Sequence, residues 1–537
     1  MKNIIIQEIQ KTLIQLKYHD KNIDIQVSVP KNKEFGDLST NIAFLLAKKL
    51  RKNPMEIASE IQKKLNSLSI FKKINIAGAG FLNFSIEANS IVNYLNEIIS
   101  LNQNYGKSEP CNKKVLIEFV SANPTGPLTV GHGRGAILGD TLSNIFEWNG
   151  YDVQREYYYN NAGRQMRILG ESVQARYLEL IGEDSQFPED GYQGDYIFTI
   201  AKSLFKKYND KIKNEDEIFK DYAEEFIFKT IKKTLKNIGI IFDSFFNENT
   251  LYKNKNIYEV IENLEEKGLI YNKDNAVWFE GTKVGRENDR VLIKQSGEPT
   301  YRLPDMAYHV NKMERGYDLC IDIFGADHMD AYPDVLEVVK QLGYDSSKIK
   351  VLIHQFISIL KNGKQVKMST RKATYITLDE LINQVGSDVV RYFFIMRGIN
   401  SHLNFDLDIA KEKSEKNPIY YIQYANARIN TILNNNELEL NNPNLSLLNK
   451  DDEIKLIYKL IEFKETIVKI KEIMEPQILA NYLLDLSSMF HKYYAKNRII
   501  NDNDIELTKA RMIFIKSISI IIKNGLSILG ISAPEKM

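Results

Sequence analysis

Within "PLTVGHGRGAILGD" (127–140), Thr129, Gly131 and His132 bring a hydroxyl, a bare backbone and an imidazole together in four positions. Gly131 and Gly133 would let a phosphate approach, and N–H groups at a helix start attract anions. His132 could donate to a phosphate or to adenine. A tight turn with a capping histidine would use the same residues. The run matches neither GxxxxGK[ST] nor GxGxxG in the dinucleotide register. A second set lies in "LKNGKQVKMSTRKATYITLDELI" (360–382), where Lys361, Lys364, Lys367, Arg371 and Lys372 surround the hydroxyls of Ser369, Thr370 and Thr374. Mobile cations beside a phosphate site neutralise charge that develops on a leaving pyrophosphate. An exposed basic loop would read the same way. A third set is acidic. Glu118 interrupts the apolar run "VLIEFV" (115–120), where a carboxylate is costly unless paired, or else lies on an exposed edge. Asp305 follows Tyr301 by four positions in "YRLPDMAYH", so on a helix the two share a face, with core packing the alternative for Tyr301. Such a pair of acids suits a cation better than an acid.

Positioning these sets needs a strand before the glycine turn and a helix after it. "VLIEFV" reads as a buried parallel strand. Leu138, Leu142 and Ile145 fall at helical spacing, which predicts a helix from near His132 or Gly133. Strand, glycine turn and helix open a Rossmann-like unit, and "YDVQREYYYNNAG" supplies the second strand. Further strands are expected at "DRVLIKQ" (289–295), "DLCIDIFG" (318–325) and "KVLIHQFISI" (350–359). The alternation predicts an α/β domain with a parallel sheet over about 106–400, interrupted by an inserted or connecting subdomain at about 180–285. A small α+β domain precedes it (1–105), with "PKNKEFGDLSTN" (30–41) as a polar loop. Four long helical patterns make the C-terminal segment, 401–537, an all-α bundle.

The chain has 537 residues, 43% hydrophobic and 26% charged, enough for three or four domains. Its net charge of +1 neither requires nor forbids nucleic acid. No apolar run reaches the roughly 18 residues of a membrane span. Two cysteines, Cys111 and Cys320, exclude a disulfide framework and a four-cysteine zinc site, and make the cytoplasm the expected compartment.

Taken together, "TVGH" (129–132) resembles the HIGH signature and "KMSTR" (367–371) the KMSKS signature of class I aminoacyl-tRNA synthetases. The flanks "SANPTGPLTVGHGRGAILGD", "YYYNNAG", "PTYRLPDMAYH", "SDVVRYFFIMR", "YIQYANARI" and "LGISAPEKM" look like arginyl-tRNA synthetase. The resemblance implies ATP-dependent ligation of L-arginine to tRNA(Arg) through an adenylate, with Mg²⁺ on the triphosphate and no structural zinc. It implies that Thr129, Gly131 and His132 hold the nucleotide and that Lys367, Met368, Ser369 and Arg371 clamp the triphosphate. Tyr301 and Asp305 would line the guanidinium pocket. Glu118 and Asn123, with Ser121 beside them, would hold the α-amino end, and Asp327 and His328 would also touch substrate. Thr129 replaces the first HIGH histidine and Thr370 the usual KMSKS lysine. The essential cation is therefore expected among Lys367, Arg371 and Lys372, with Lys367 first. The N-terminal module would touch the tRNA elbow. The C-terminal bundle would take the anticodon, with Tyr420, Tyr424, Arg428, Tyr494 and Arg498 as stacking and phosphate contacts; ordinary core packing is the alternative for Tyr424 and Tyr494. A monomer is expected. The alternatives are a catalytically inactive RNA-binding relative and a class I synthetase of other specificity.

Overall fold

The computed structural model describes residues 2–18, 23–28, 30, 32–68, 70–213, 216–326, 329, 331–366, 376–436 and 438–537. Its centre is a five-stranded parallel sheet. The spatial order is Ile349–His354, Leu319–Gly325, Lys114–Glu118, Asp152–Tyr159, Ser244–Asn247. The middle strand explains itself. Val115, Leu116 and Ile117 are all fully buried, because helices cover both faces of a doubly wound sheet. From that strand the chain passes through the helix Val130–Trp148 to Asp152–Tyr159 on one side, while Leu319–Gly325 pairs on the other. Connections therefore diverge at the carboxyl end of Lys114–Glu118, which is where an open α/β sheet leaves a ligand crevice.

Several sequence expectations shift. The helix begins at Val130, not near His132 or Gly133, because Thr129 caps it. The segment 180–285 is not simply an insertion. Its helix Asp216–Asn237 packs on Gly163–Leu180, close enough that a Cβ at Gly170 would meet Lys220 at 3.1 Å. Its strand Ser244–Asn247 is the edge of the main sheet. "DRVLIKQ" supplies Arg290–Ile293 to a separate antiparallel sheet with Ile270–Lys273 and Ala276–Phe279. "KVLIHQFISI" breaks at Gln355 and Phe356, so that Ile357–Lys361 joins a small sheet with Lys364–Gln365 and Leu403–Asp406. In the N-terminal domain, part of the expected polar loop is the buried strand Leu38–Thr40, paired with Phe81–Ile86.

The C-terminal bundle comprises Pro418–Asn434, Asp451–Ile473, Gln477–Lys496 and Ile505–Ile528, as its 3.6-residue periodicity predicts. It does not stand apart. The helix Ala88–Leu101 packs against Asp451–Ile473 and Ile505–Ile528, with Lys464 Nζ 2.5 Å from Glu97. Among the described residues no helix is long and apolar enough to cross a membrane.

Candidate active site

A cleft of about 890 Å³ opens at the crevice. Glu118, Ser121, Asn123, Tyr301 and Asp305 line it, and so do Thr129, Gly131 and His132. Two of the three sets read from the sequence thus share one cleft. Asp327, His328, Lys367, Met368, Ser369 and Arg371 lie outside the described residues. The chain on either side of them does reach the cleft. Ala326 and Ile376 are in its wall, Leu378 N donates to the Leu128 carbonyl at 2.8 Å, and Thr377 bridges Thr129.

The glycine turn is a capped helix start. Thr129 Oγ1 accepts from His132 N at 3.4 Å, and Thr129 N donates to His132 Nδ1 at 3.2 Å. The threonine and histidine act as a capping box with histidine in the glutamate position. Because Nδ1 accepts a backbone N–H, the neutral ring carries its proton on Nε2. The glycines divide by face. Gly131 and Gly135, one helical turn apart, line the cleft. Gly133 does not, contrary to the sequence expectation: a Cβ there would strike Leu378 at 2.6 Å. At Gly139 a Cβ would sit 2.2 Å from the Phe119 ring, so this glycine lets the helix lie on the central strand.

Beyond that strand the backbone turns sharply. Val120 and Ser121 have φ of 69° and 44°, which L-residues other than asparagine or aspartate rarely adopt, least of all a β-branched one. The turn folds Ser121 back so that its Oγ donates to Glu118 Oε1 at 2.8 Å. Asn123 is fixed as well, accepting from Asn160 N at 3.0 Å and donating to Gln165 at 3.1 Å. Glu118 is 2% exposed and paired, not on an open edge. Tyr301 is 68% exposed, so it is no core residue. Asp305, four residues on, is on the first turn of Arg302–Glu314.

Sequence reasoning missed three things here. Glu248 lines the cleft, held by Tyr158 Oη and Asn160 Nδ2, each at 2.7 Å. Burial, and then the charge of Asp305, push its carboxyl above the ordinary range. Phe356, 63% exposed, also lines the cleft. Behind the wall, Lys312 joins Glu118 to Asp322. Asp322 carried the same signal as Glu118, an acid inside an apolar strand, and the parallel register sets the two side by side.

In the bundle, Tyr420, Tyr424 and Arg428 follow each other at one-turn intervals. The two rings stack at 6.2 Å and 7°, and the Arg428 guanidinium lies 4.9 Å from Tyr424 and 4.8 Å from Tyr494. All four are half-buried, not core. Arg498 and Tyr494 line an adjoining groove.

Comparison with known proteins agrees with this fold. Residues 2–86 match the family model for the arginyl tRNA synthetase N terminal domain. Residues 94–391 match the class I (R) tRNA synthetase catalytic domain, and residues 422–537 the DALR anticodon binding domain. An arginine–tRNA ligase of Desulfotalea psychrophila is 49% identical over 521 residues, spanning 95% of this chain and 94% of that protein. One from Chlorobaculum parvum is 47% identical over 534 residues, 96% of each. The solved structure of the Thermus thermophilus arginyl-tRNA synthetase shares the fold with a TM-score of 0.78 over all of both chains, at 20% identity. Neither an inactive relative nor another specificity finds support in these matches. With its cleft, its three matched regions and its full-length relatives in agreement, the chain belongs to the class I arginyl-tRNA synthetase family.

Proposed function

We infer that this cleft performs the family's reaction, ligating L-arginine to the 3′ end of tRNA(Arg) at the expense of ATP. The observation that carries the reading is polar asymmetry within one cleft. Acids crowd one wall, at Glu118, Asp305 and Glu248, and a helix N-terminus with Thr129 and His132 forms another. A dication fits the first and a polyphosphate the second. Asp305, Tyr301 and Glu248 take the guanidinium, and Glu118, Ser121 and Asn123 the α-ammonium. The amino-acid carboxylate then attacks the ATP α-phosphorus in line, the bond to the β-phosphate oxygen breaks, and pyrophosphate leaves. Proximity and charge stabilisation suffice, with no covalent enzyme intermediate. In the second step a hydroxyl of the terminal tRNA ribose attacks the acyl carbonyl and AMP leaves.

Mg²⁺ accompanying ATP would supply neutralisation of phosphate charge. Among the described residues no cluster of three or more His, Cys, Asp or Glu side chains could hold a metal. Lys367, Met368, Ser369 and Arg371 clamp the ATP triphosphate, and Asp327 and His328 contact substrate. Replacing Lys367 with alanine should slow adenylate formation about a hundredfold, the usual cost of one donor to developing charge, in single-turnover assays. Unchanged rates would move the role to Arg371 or Lys372.

The ladder Tyr420–Tyr424–Arg428–Tyr494, with Arg498, receives the anticodon, where splayed bases stack on aromatic faces. Tyr424→Ala should weaken tRNA binding by about 1–3 kcal/mol, read by filter binding at fixed salt. The N-terminal domain meets the tRNA elbow. The family resemblance carries the reading of a monomer in the cytoplasm. Pyrophosphate exchange tests the whole: it should require arginine, and tRNA as well. Exchange with another amino acid, or none, would overturn it.

A further inference from the structure

Lys312 and His309 are fully buried behind the cleft, yet their contacts end on acids that line it. Lys312 Nζ lies 2.5 Å from Glu118 Oε2 and 2.6 Å from Asp322 Oδ1. The other Asp322 oxygen meets His309 Nε2 at 3.0 Å. His309 Nδ1 is 2.8 Å from the Asp305 carbonyl oxygen and 3.2 Å from Asp305 Oδ1. A continuous chain of contacts, Glu118–Lys312–Asp322–His309–Asp305, therefore runs from one cleft acid to the other without entering the cleft. The helix Arg302–Glu314 supplies Asp305, His309 and Lys312 from one face, at intervals of four and three residues.

The charges balance in an informative way. Glu118, Asp305 and Glu248 line the cleft and Asp322 lies behind them, against two buried cations, Lys312 and His309. Four acids thus stand against two basic side chains, a surplus that suits a substrate with two positive ends. Burial and Lys312 push the His309 proton off, but Asp305 and Asp322 outweigh them and raise its pKa to about 10. Burial likewise raises the Glu118 carboxyl, and Lys312 is the main force opposing that. Without Lys312, Glu118 and Asp322 would face each other in low dielectric, and one would take a proton.

We propose that Lys312 and His309 are positioning residues of the arginine pocket, Lys312 pairing the Glu118 carboxylate and His309 fixing Asp305 in relation to it, so that the pocket takes a doubly positive amino acid. This rests on the reading of the acidic wall as the arginine site. The groups facing Lys312 are Glu118 from the central strand, Asp322 and the Cys320 thiol from Leu319–Gly325, and the Tyr308 ring and His309 from its own helix. Those facing His309 are Asp305, Lys312, Asp322 and Glu118, with the Tyr308 ring edge-on to it.

The test is Lys312→Met in the full chain, with tRNA present, following KM for arginine and for ATP in pyrophosphate exchange from pH 6.5 to 8.5. Loss of the cation should raise arginine KM about a hundredfold at the acid end, where a carboxyl of the pair is protonated. The ratio of variant to unmodified KM should fall about tenfold as pH rises and the acid ionises, since an ionised pair again attracts the substrate cation. ATP KM should stay level. His309→Gln, which keeps a donor and loses the charge, should move arginine KM the same way by a smaller factor, and it carries the test if the lysine variant does not fold. A rise in KM that ignores pH, equal rises for both substrates, or no change in either variant would overturn the proposal. If the unmodified enzyme fails to exchange with arginine, the site reading itself is wrong; if it exchanges normally and the variants behave like it, only the network is wrong.

Discussion

Asp305→Asn should raise the arginine KM on the order of 10²–10³-fold and leave the ATP KM within a small factor. The magnitude follows from removing one partner of a charge pair that becomes desolvated on binding, about 2–5 kcal/mol. It should fall toward the lower part of that range, because the Asp305 side chain is still 30% exposed in the empty cleft. The fold should survive. His309 Nδ1 keeps its 2.8 Å contact with the Asp305 carbonyl, and the buried pairs of Lys312 do not involve Asp305. Steady-state exchange with each substrate varied in turn separates the outcomes. Parallel rises in both KM values would mean that Asp305 shapes the cleft rather than the arginine end. Lysine should remain a poor substrate in both proteins. Its compact ammonium cannot meet Asp305, Glu248 and Tyr301 together, and buried acids left unpaired make such a site highly discriminating.

The acidic wall was half legible in the sequence. Glu118 stood out, because an ionisable residue in "VLIEFV" needs either a partner or an exposed edge. The partner did not, since Lys312 lies 194 positions away on a helix whose rotation decides which face is buried. Glu248 was hidden for another reason. It follows Ser244–Asn247, a four-residue, half-buried edge strand that shows no alternation. The glycine turn shows how a small error in a boundary propagates. A helix starting near His132 leaves Gly131 and Gly133 as equals beside a ligand. A helix starting at Val130 puts Gly131 and Gly135 on the cleft and turns Gly133 to Leu378. The bundle was legible almost throughout, because its helices are long and strongly periodic. What periodicity could not reveal is how that bundle is tied to the catalytic sheet.

One side chain does much of that tying, and its loss should be severe. Arg391 is 1% exposed. Its Nε donates to the Leu529 carbonyl at 2.7 Å, Nη1 to the Ile238 carbonyl at 2.8 Å, and Nη2 to Asp140 Oδ2 at 2.5 Å. It thereby joins the last helix of the bundle, the end of Asp216–Asn237, and the helix that carries Thr129 and His132 at its start. Arg391→Met leaves two buried carbonyls without this donor and Asp140 with only Arg155, 3.5 Å away, a loss of about 3–5 kcal/mol. The unfolding temperature should drop by on the order of 10 °C, at about 2–4 °C per kcal/mol for a domain of 150–250 residues. Arg391→Lys should rescue little, because one ammonium cannot reproduce a planar fork aimed at three acceptors. Gly530 offers an independent check that leaves Arg391 in place. It has φ +67°, and a Cβ there would lie 2.2 Å from the guanidinium. Gly530→Ala should therefore lower the unfolding temperature in the same direction, through both the strained backbone and the displaced arginine. Combining it with Arg391→Met should cost less than the sum, since the methionine has no guanidinium to displace. Full additivity would show that Gly530 acts through its backbone alone.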